Sequence, residues 1–294
     1  MRSILSKLNS TLLLALRKMS SSSSSKYKNL EIENAGKIMT IGINRPEKRN
    51  AVNPETASEL FSAFNDFQND EDSWVAVLHG TGGNFCAGYD LSSLASAPEC
   101  LLQQMKESNV APMGPSRMCF NKPVIAAIDG YAVAGGLELA LLCDLRVMEE
   151  SAVVGVYCRR FGVPLIDGGT VRLQKLIGLS RAMDMILTGR SITAKEAYDF
   201  GLANRVCSTG SALAVALQLA HSLLRYPQRC MNLDRQSAYY AAYNAASMED
   251  ALQYEFDNGI QVVQEESVQG AKRFQEGIGK GGSFNVKNPS NSKL

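Results

Sequence analysis

Between Lys37 and Phe200 short apolar, β-branched runs alternate with segments of helical spacing, and beyond Ser211 the chain reads as almost wholly helical. That order constrains the fold most. Strands recurring with helices between them build an α/β core, and helices that follow alone form an appendage to it. Lys37–Ile43, Trp74–His79, Pro123–Ile128, Leu145–Met148 and Ala152–Val156 are predicted strands. Asn53–Asp70 is a predicted helix, with Asn53 as its cap, Pro54 at its first position and Leu60, Phe61, Phe64 and Phe67 on its apolar face. Further helices are expected at 171–178, 180–188, 193–200, 211–225 and 248–277, and a mobile loop with one short helix at 91–116.

Two glycine-bearing turns stand out within this pattern: Phe85-Cys86-Ala87-Gly88-Tyr89-Asp90-Leu91 and Tyr131-Ala132-Val133-Ala134-Gly135-Gly136-Leu137-Glu138. Each follows an apolar run, and the second opens a helix. Gly88 permits a tight turn and close approach of backbone to ligand. Gly135 lies where unpaired N–H groups and the helix dipole favour negative charge. Together the turns can aim two N–H groups at one oxygen, which suits stabilising charge on a thioester carbonyl.

Other chemistries have less to work with. The 294 residues carry a formal net charge of +1, so no basic surface points to nucleic acid. The apolar runs are broken by Gly, Pro or charge, and no transmembrane helix is expected. Cys86, Cys100, Cys119, Cys143, Cys158, Cys207 and Cys230 are odd in number and irregular in spacing, which fits a reducing compartment better than a disulfide framework or a zinc site. His79 and His221 are the only histidines, too few for a histidine metal site or a Ser-His-Asp triad. No P-loop and no flavin or nicotinamide fingerprint is present.

Both ends carry address-like composition. Residues 1–28 are basic, serine-rich and free of acids, as mitochondrial transit peptides are. The chain stops at Ser292-Lys293-Leu294, which reads as a peroxisomal address, and Met19 offers a start lacking most of the leader.

Five segments in order carry a family likeness: Asn44–Ala51 (NRPEKRNA), Phe85–Leu91 (FCAGYDL), Gly130–Leu139 (GYAVAGGLEL), Cys143-Asp144, and Gly201–Asn204 (GLAN). Over roughly residues 30–280 the chain resembles the enoyl-CoA hydratase/isomerase (crotonase) superfamily. The resemblance implies an α/β fold, a four-turn ββα spiral core with a C-terminal helical trimerisation region, and a homotrimer or hexamer. It implies the spiral core at 29–210 and the helical region at 211–280, between the leader at 1–28 and the tail at 281–294 that composition marks off.

The same resemblance implies an oxyanion hole from the backbone N–H groups of Tyr89 and Gly135. Glu138 matches the family's hydratase glutamate, a base for adding water to a 2-enoyl-CoA or for the reverse dehydration. Hydratases place a second glutamate further along. Counting on twenty residues from Glu138 reaches Cys158, where no carboxylate stands; the thiol is either a small packing residue or one whose pKa the neighbouring Arg159 and Arg160 lower. Asp167, in a loop that in relatives passes near the substrate, is the candidate replacement; a helix cap is its plainer role. Lys48, Arg49 and Ala51 match the family's adenine–phosphate stretch. Ala87, Gly88, Asp90, Leu91, Gly136 and Cys158 complete the expected substrate contacts. Lys272, Arg273, Phe274 and Lys280 are expected to serve a neighbouring site, and Met118, Phe120, Tyr131, Tyr157 and Phe161 either line the acyl pocket or fill the core. Coenzyme A enters as part of the substrate, with no separate cofactor and no metal. The alternatives are isomerase, decarboxylase or thioester hydrolase chemistry on the same hole, or an acyl-CoA-binding protein without turnover.

Overall fold

The computed structural model describes residues 26–96, 107–108 and 110–279. The expected leader up to Ser25, the tail 281–294, Cys100, Lys280 and the middle of the 91–116 loop lie outside the described residues. Among the described residues no helix is long and apolar enough to cross a membrane. Two compact units divide the chain, one ending at Leu224 and one beginning at Arg225.

The first unit opens with an antiparallel hairpin, β1 (Leu30–Ala35) and β2 (Ile38–Ile43), turned at Gly36 with φ +66°. β1 is absent from the sequence expectations. Its Glu31, Glu33 and Asn34 mask an edge strand that buries little besides Leu30. The Asn53 side chain accepts from Thr56 N–H and starts α1 (Pro54–Asn69), as expected. β3 (Val75–Gly80) follows, then α2 (Leu91–Ala95), β4 (Val124–Ile128), β5 (Tyr131–Val133), α3 (Gly135–Leu142), β6 (Leu145–Glu149), β7 (Val153–Gly155) and α4 (Gly169–Ile177). After α5 (Leu179–Thr188) come β8 (Ile192–Thr193) and α6 (Ala194–Asp199), where Thr193 and Glu196 form a capping box, then β9 (Arg205–Cys207) and α7 (Ala212–Leu223).

The strands form two sheets, in the order β1-β2-β3-β4-β6-β9 and β5-β7-β8. In the larger sheet every pair except β1·β2 is parallel. Isolated parallel bridges Val52↔Tyr89 and Cys86↔Ala132 extend the smaller layer backwards from β5. One unit therefore repeats four times: a strand of the large sheet, a short segment of the second layer, then a helix. The units run β2–Val52–α1, β3–Cys86–α2, β4–β5–α3 and β6–β7–α4, a four-turn ββα spiral.

Strand alternation sorts side chains to the two faces of the large sheet. Ile38, Val75, Val77, Ile125, Ala127 and Val147 pack with Ala212, Ala216, Leu217 and Ala220 of α7. Their neighbours Ala76, Leu78, Val124, Ala126 and Ile128 face the other way, into a core with Leu60, Phe64 and Phe67 of α1 and Leu137 and Leu139 of α3. α3 is apolar all round and buried at all eight positions, which explains why its one acid is sequestered.

The second unit contains α8 (Gln228–Tyr243), α9 (Met248–Val262) and α10 (Val268–Gln275). Tyr240 stacks on Tyr254 with ring centroids 3.9 Å apart, and its hydroxyl donates to Asp250. A π-helical turn at Val263–Ser267 interrupts what the sequence suggests is one helix over 248–277.

Candidate active site

The spiral brings the two glycine turns into contact. Gly88 has φ +98°, and a Cβ built there would lie 3.0 Å from Gly135 N and 3.1 Å from Val133 O. Only glycine allows both that backbone angle and that approach. Tyr89 is held by bonds on either side of it: Val52 N–H donates to Gly88 O at 2.8 Å, and Asp90 N–H to Val52 O at 2.8 Å. This bridge turns the Tyr89 N–H itself the other way. Ala134, at φ 52° and ψ −125°, caps α3 in a conformation that alanine rarely adopts. The first intrahelical bond of α3 runs from Glu138 N–H to Ala134 O, so the Gly135 N–H precedes the ladder. Among the described residues neither the Tyr89 N–H nor the Gly135 N–H has an acceptor.

Glu138 lies in the first turn of α3 and is 3% exposed. Its Oε1 accepts from Gly169 N–H at 2.8 Å and Asp167 N–H at 3.0 Å, while Oε2 has no hydrogen-bond partner among the described residues. Burial pushes its carboxyl up to about 7, the nearby Asp167 adds to the rise, and the two N–H bonds and Arg172 oppose it. That suits a group that exchanges protons near neutral pH.

Asp167 is equally buried, and its Oδ1 accepts from Met113 N–H at 3.0 Å and from the Ser116 hydroxyl. Burial raises its pKa as well, against the pull of Ser116, Met113, Arg117 and Arg172. It is not the cap of α4, since Gly168 occupies the cap position with no side-chain bond. Sequence reasoning did not anticipate Met113, Ser116 or Arg172 here. Ser116 and Met113 stand 51 and 54 residues before Asp167, and no local pattern signals such a pairing.

A cavity of about 670 Å³ opens beside these groups. Of the expected residues it is lined by Arg49, Ala87, Tyr89, Leu91, Gly135, Glu138, Cys158 and Asp167, together with Tyr131, Tyr157 and Phe161. Lys48, Ala51, Gly88, Asp90 and Gly136 do not line it. Gly136 instead packs against Cys86 O, where a Cβ would sit 2.1 Å away. Asp90 pairs with Arg45 at 3.1 Å and caps α2 through Ser92 N–H, a structural role. Phe120 stacks on Phe64, and Met118 packs against the core. Lys272, Arg273 and Phe274 lie exposed on α10.

Cys158 lines the same cavity as Glu138, and the two arginines beside it do not lower its pKa. Its thiol pKa is raised, first by burial and then by the charge of Glu138, and the opposing effect of Arg159 is too weak to reverse this. The arginines are engaged elsewhere: Arg159 Nε donates to Ile186 O, and Arg160 stacks on Tyr157 and donates to Gly189 O. Cys158 is thus a neutral thiol at this site. Among the described residues no group of His, Cys, Asp and Glu is arranged to hold a metal ion.

The chain is similar to known proteins of one family. The family model described as enoyl-CoA hydratase/isomerase matches residues 33–280. Enoyl-CoA hydratase EchA19 of Mycobacterium tuberculosis is 37% identical over 199 residues, covering 65% of this chain and 73% of that protein. A probable mitochondrial enoyl-CoA hydratase of Dictyostelium discoideum is 31% identical over 223 residues, covering 76% and 79%. The crystal structure of an enoyl-CoA hydratase subunit from Geobacillus kaustophilus superposes with a TM-score of 0.79 at 31% identity, covering 86% of this chain and 96% of that one.

Proposed function

The chain belongs to the enoyl-CoA hydratase/isomerase family and is hydratase-like, and from that premise we propose that it adds water to a 2-enoyl-CoA, or runs the reverse dehydration, with Glu138 as base. The observation that carries the reading is the juxtaposition of two free N–H groups with a buried carboxylate whose proton affinity lies near neutrality. In the proposed reaction the thioester oxygen sits between the Tyr89 and Gly135 N–H groups. Oε2 of Glu138 removes a proton from water as its oxygen bonds to Cβ, and the electron pair of the double bond moves onto the thioester oxygen. The resulting enolate is held by the two N–H groups, an interaction worth on the order of 3 kcal/mol per donor. Protonation at Cα then completes the addition.

Asp167 is the proposed second acid. Its Oδ1 accepts two bonds, so a proton it carries resides on Oδ2. Arg49, Ala87, Leu91 and Cys158 are proposed substrate contacts from the cavity wall, with Lys48, Ala51, Gly88, Asp90 and Gly136 supporting them from behind. Coenzyme A is carried by the substrate, and no further cofactor enters these steps. The proposed domains are a leader at 1–28, a catalytic spiral at 29–210, a helical assembly region at 211–280, whose first helix α7 packs on the large sheet within the first unit, and a tail at 281–294. The leader and the Ser-Lys-Leu end support a mitochondrial destination, a peroxisomal one, or both. Imaging tagged chains with and without residues 1–18 or Leu294 tests this, and a purely cytosolic signal from every form defeats it.

The chemistry is tested by mass spectrometry of a panel of acyl-CoA thioesters with wild type and Glu138→Ala. Water addition by the wild type, reduced about 10²-fold or more in the variant, is expected. Double-bond migration, CO₂ loss or CoA release would instead assign a different reaction to the same oxyanion hole. Binding without turnover would favour a carrier role, a reading motivated by the neutral thiol of Cys158 where hydratases hold a second glutamate.

A further inference from the structure

Two loops from distant parts of the chain meet behind Glu138, and a single side chain joins them. Arg172, in the first turns of α4, donates from one guanidinium nitrogen to Asp167 O at 3.1 Å and from another to Ser116 O at 2.8 Å. These are the residues whose other groups shape the site. The Asp167 N–H holds Glu138 Oε1, and the Ser116 hydroxyl holds Asp167 Oδ1. Met113, next to this loop, also holds Asp167 Oδ1 and sits against Gly135, where an added Cβ would lie 2.5 Å from its Sδ. Space for the guanidinium exists because residue 168 is glycine: at φ +96° a Cβ there would stand 2.0 Å from Arg172 Nη1.

We propose that Arg172 is a positioning residue, which locks the Ser116 and Asp167 loops in one register so that Glu138 is presented with Oε1 tied and Oε2 free. The planar fork is suited to this, because it grips two carbonyl oxygens at once where an ammonium offers a point charge. The inference rests on Glu138 being the base of the proposed hydration. Arg172 touches no reacting atom; it works through main-chain groups that touch Glu138 and Asp167. Its charge works alongside the grip. The groups facing Glu138 are Asp167, Cys158 and Arg172; those facing Asp167 are Glu138, Ser116, Arg117, Tyr89 and Arg172. Arg172 lowers the proton affinity of both carboxyls.

The test compares wild type, Arg172→Met and Arg172→Lys in hydration of a short 2-enoyl-CoA across a pH series. Arg172→Met is expected to lower kcat about 10²-fold with KM changed little, because the loss is one of alignment. It also moves the acidic limb of kcat/KM to higher pH, since a cation beside the carboxyls is gone. Arg172→Lys restores the limb and not kcat, which separates charge from grip. A limb that stays in place in Arg172→Met, a kcat unchanged in both variants, or full rescue by lysine overturns the proposal. Carbon-13 NMR titration of Glu138 in wild type and Arg172→Met, without substrate, gives a readout independent of turnover. If wild type fails to hydrate any enoyl-CoA, the hydratase reading falls. An unmoved Glu138 titration then overturns the role of Arg172 separately.

Discussion

At the scale of single residues the site combines a raised carboxyl with a strained cap. The Glu138 proton affinity is raised from the ordinary 4.5 to about 7. Such a group stabilises the fold fully below about pH 4.5 and loses that contribution as pH rises through about 7, for a total of up to about 3 kcal/mol. Glu138→Gln keeps an acceptor for the Asp167 and Gly169 N–H groups without a charge. Its melting temperature relative to wild type should therefore be higher at pH 8.5 than at pH 5.5; calorimetry showing the opposite trend defeats the assignment. Ala134, at φ 52°, stores strain of order 1–3 kcal/mol. Ala134→Gly should gain about 1 kcal/mol in urea unfolding after the added chain entropy is offset. The glycines and Glu138 were readable in the sequence, because glycine punctuates turns and an acid in a first turn is conspicuous in so apolar a helix. The grip of Ser116, Met113 and Arg172 on Asp167 was not, since it depends on loops 51 to 56 residues apart in sequence meeting in space.

Among the elements, those with chemical boundaries were predicted most closely. Asn53-Pro54 announces α1, and the structure places Asn53 Oδ1 2.9 Å from Thr56 N and 2.6 Å from its hydroxyl. Asn53→Ala should cost about 1 kcal/mol in denaturant unfolding with little change in catalysis; a neutral result means the cap is redundant. α3 was legible as apolar but not as fully enclosed, because enclosure is a property of the sheets and helices around it. β1, β8 and β9 escaped notice for a different reason. They are short or carry charge on one face, and only pairing with neighbouring strands fixes them as strands. α7 shows how an element can change its meaning. Its position in the sequence groups it with the C-terminal helices, but its alanines lie against the back of the large sheet, within the first compact unit.

For the molecule as a whole, the second unit carries an apolar stripe that suits self-association. Leu252, Phe256 and Ile260 recur at every fourth position of α9 and are 53%, 63% and 51% exposed. We propose that a homotrimer or hexamer covers this stripe. Phe256→Asp should reduce the mass measured by light scattering towards that of one chain, 31.9 kDa; an unchanged oligomer places the interface elsewhere. The four repeated ββα turns have a consequence for isotope exchange. Amides in β3, β4 and β6 are ladder-bonded and buried, so they should exchange with solvent deuterium only through large openings of the fold. The amides of Tyr89 and Gly135 lie among these slow neighbours without an acceptor and border a cavity open to water. They should exchange early, as two fast protons in a slow interior, and become protected when a thioester oxygen takes both, reporting occupancy of the oxyanion site before any bond is made.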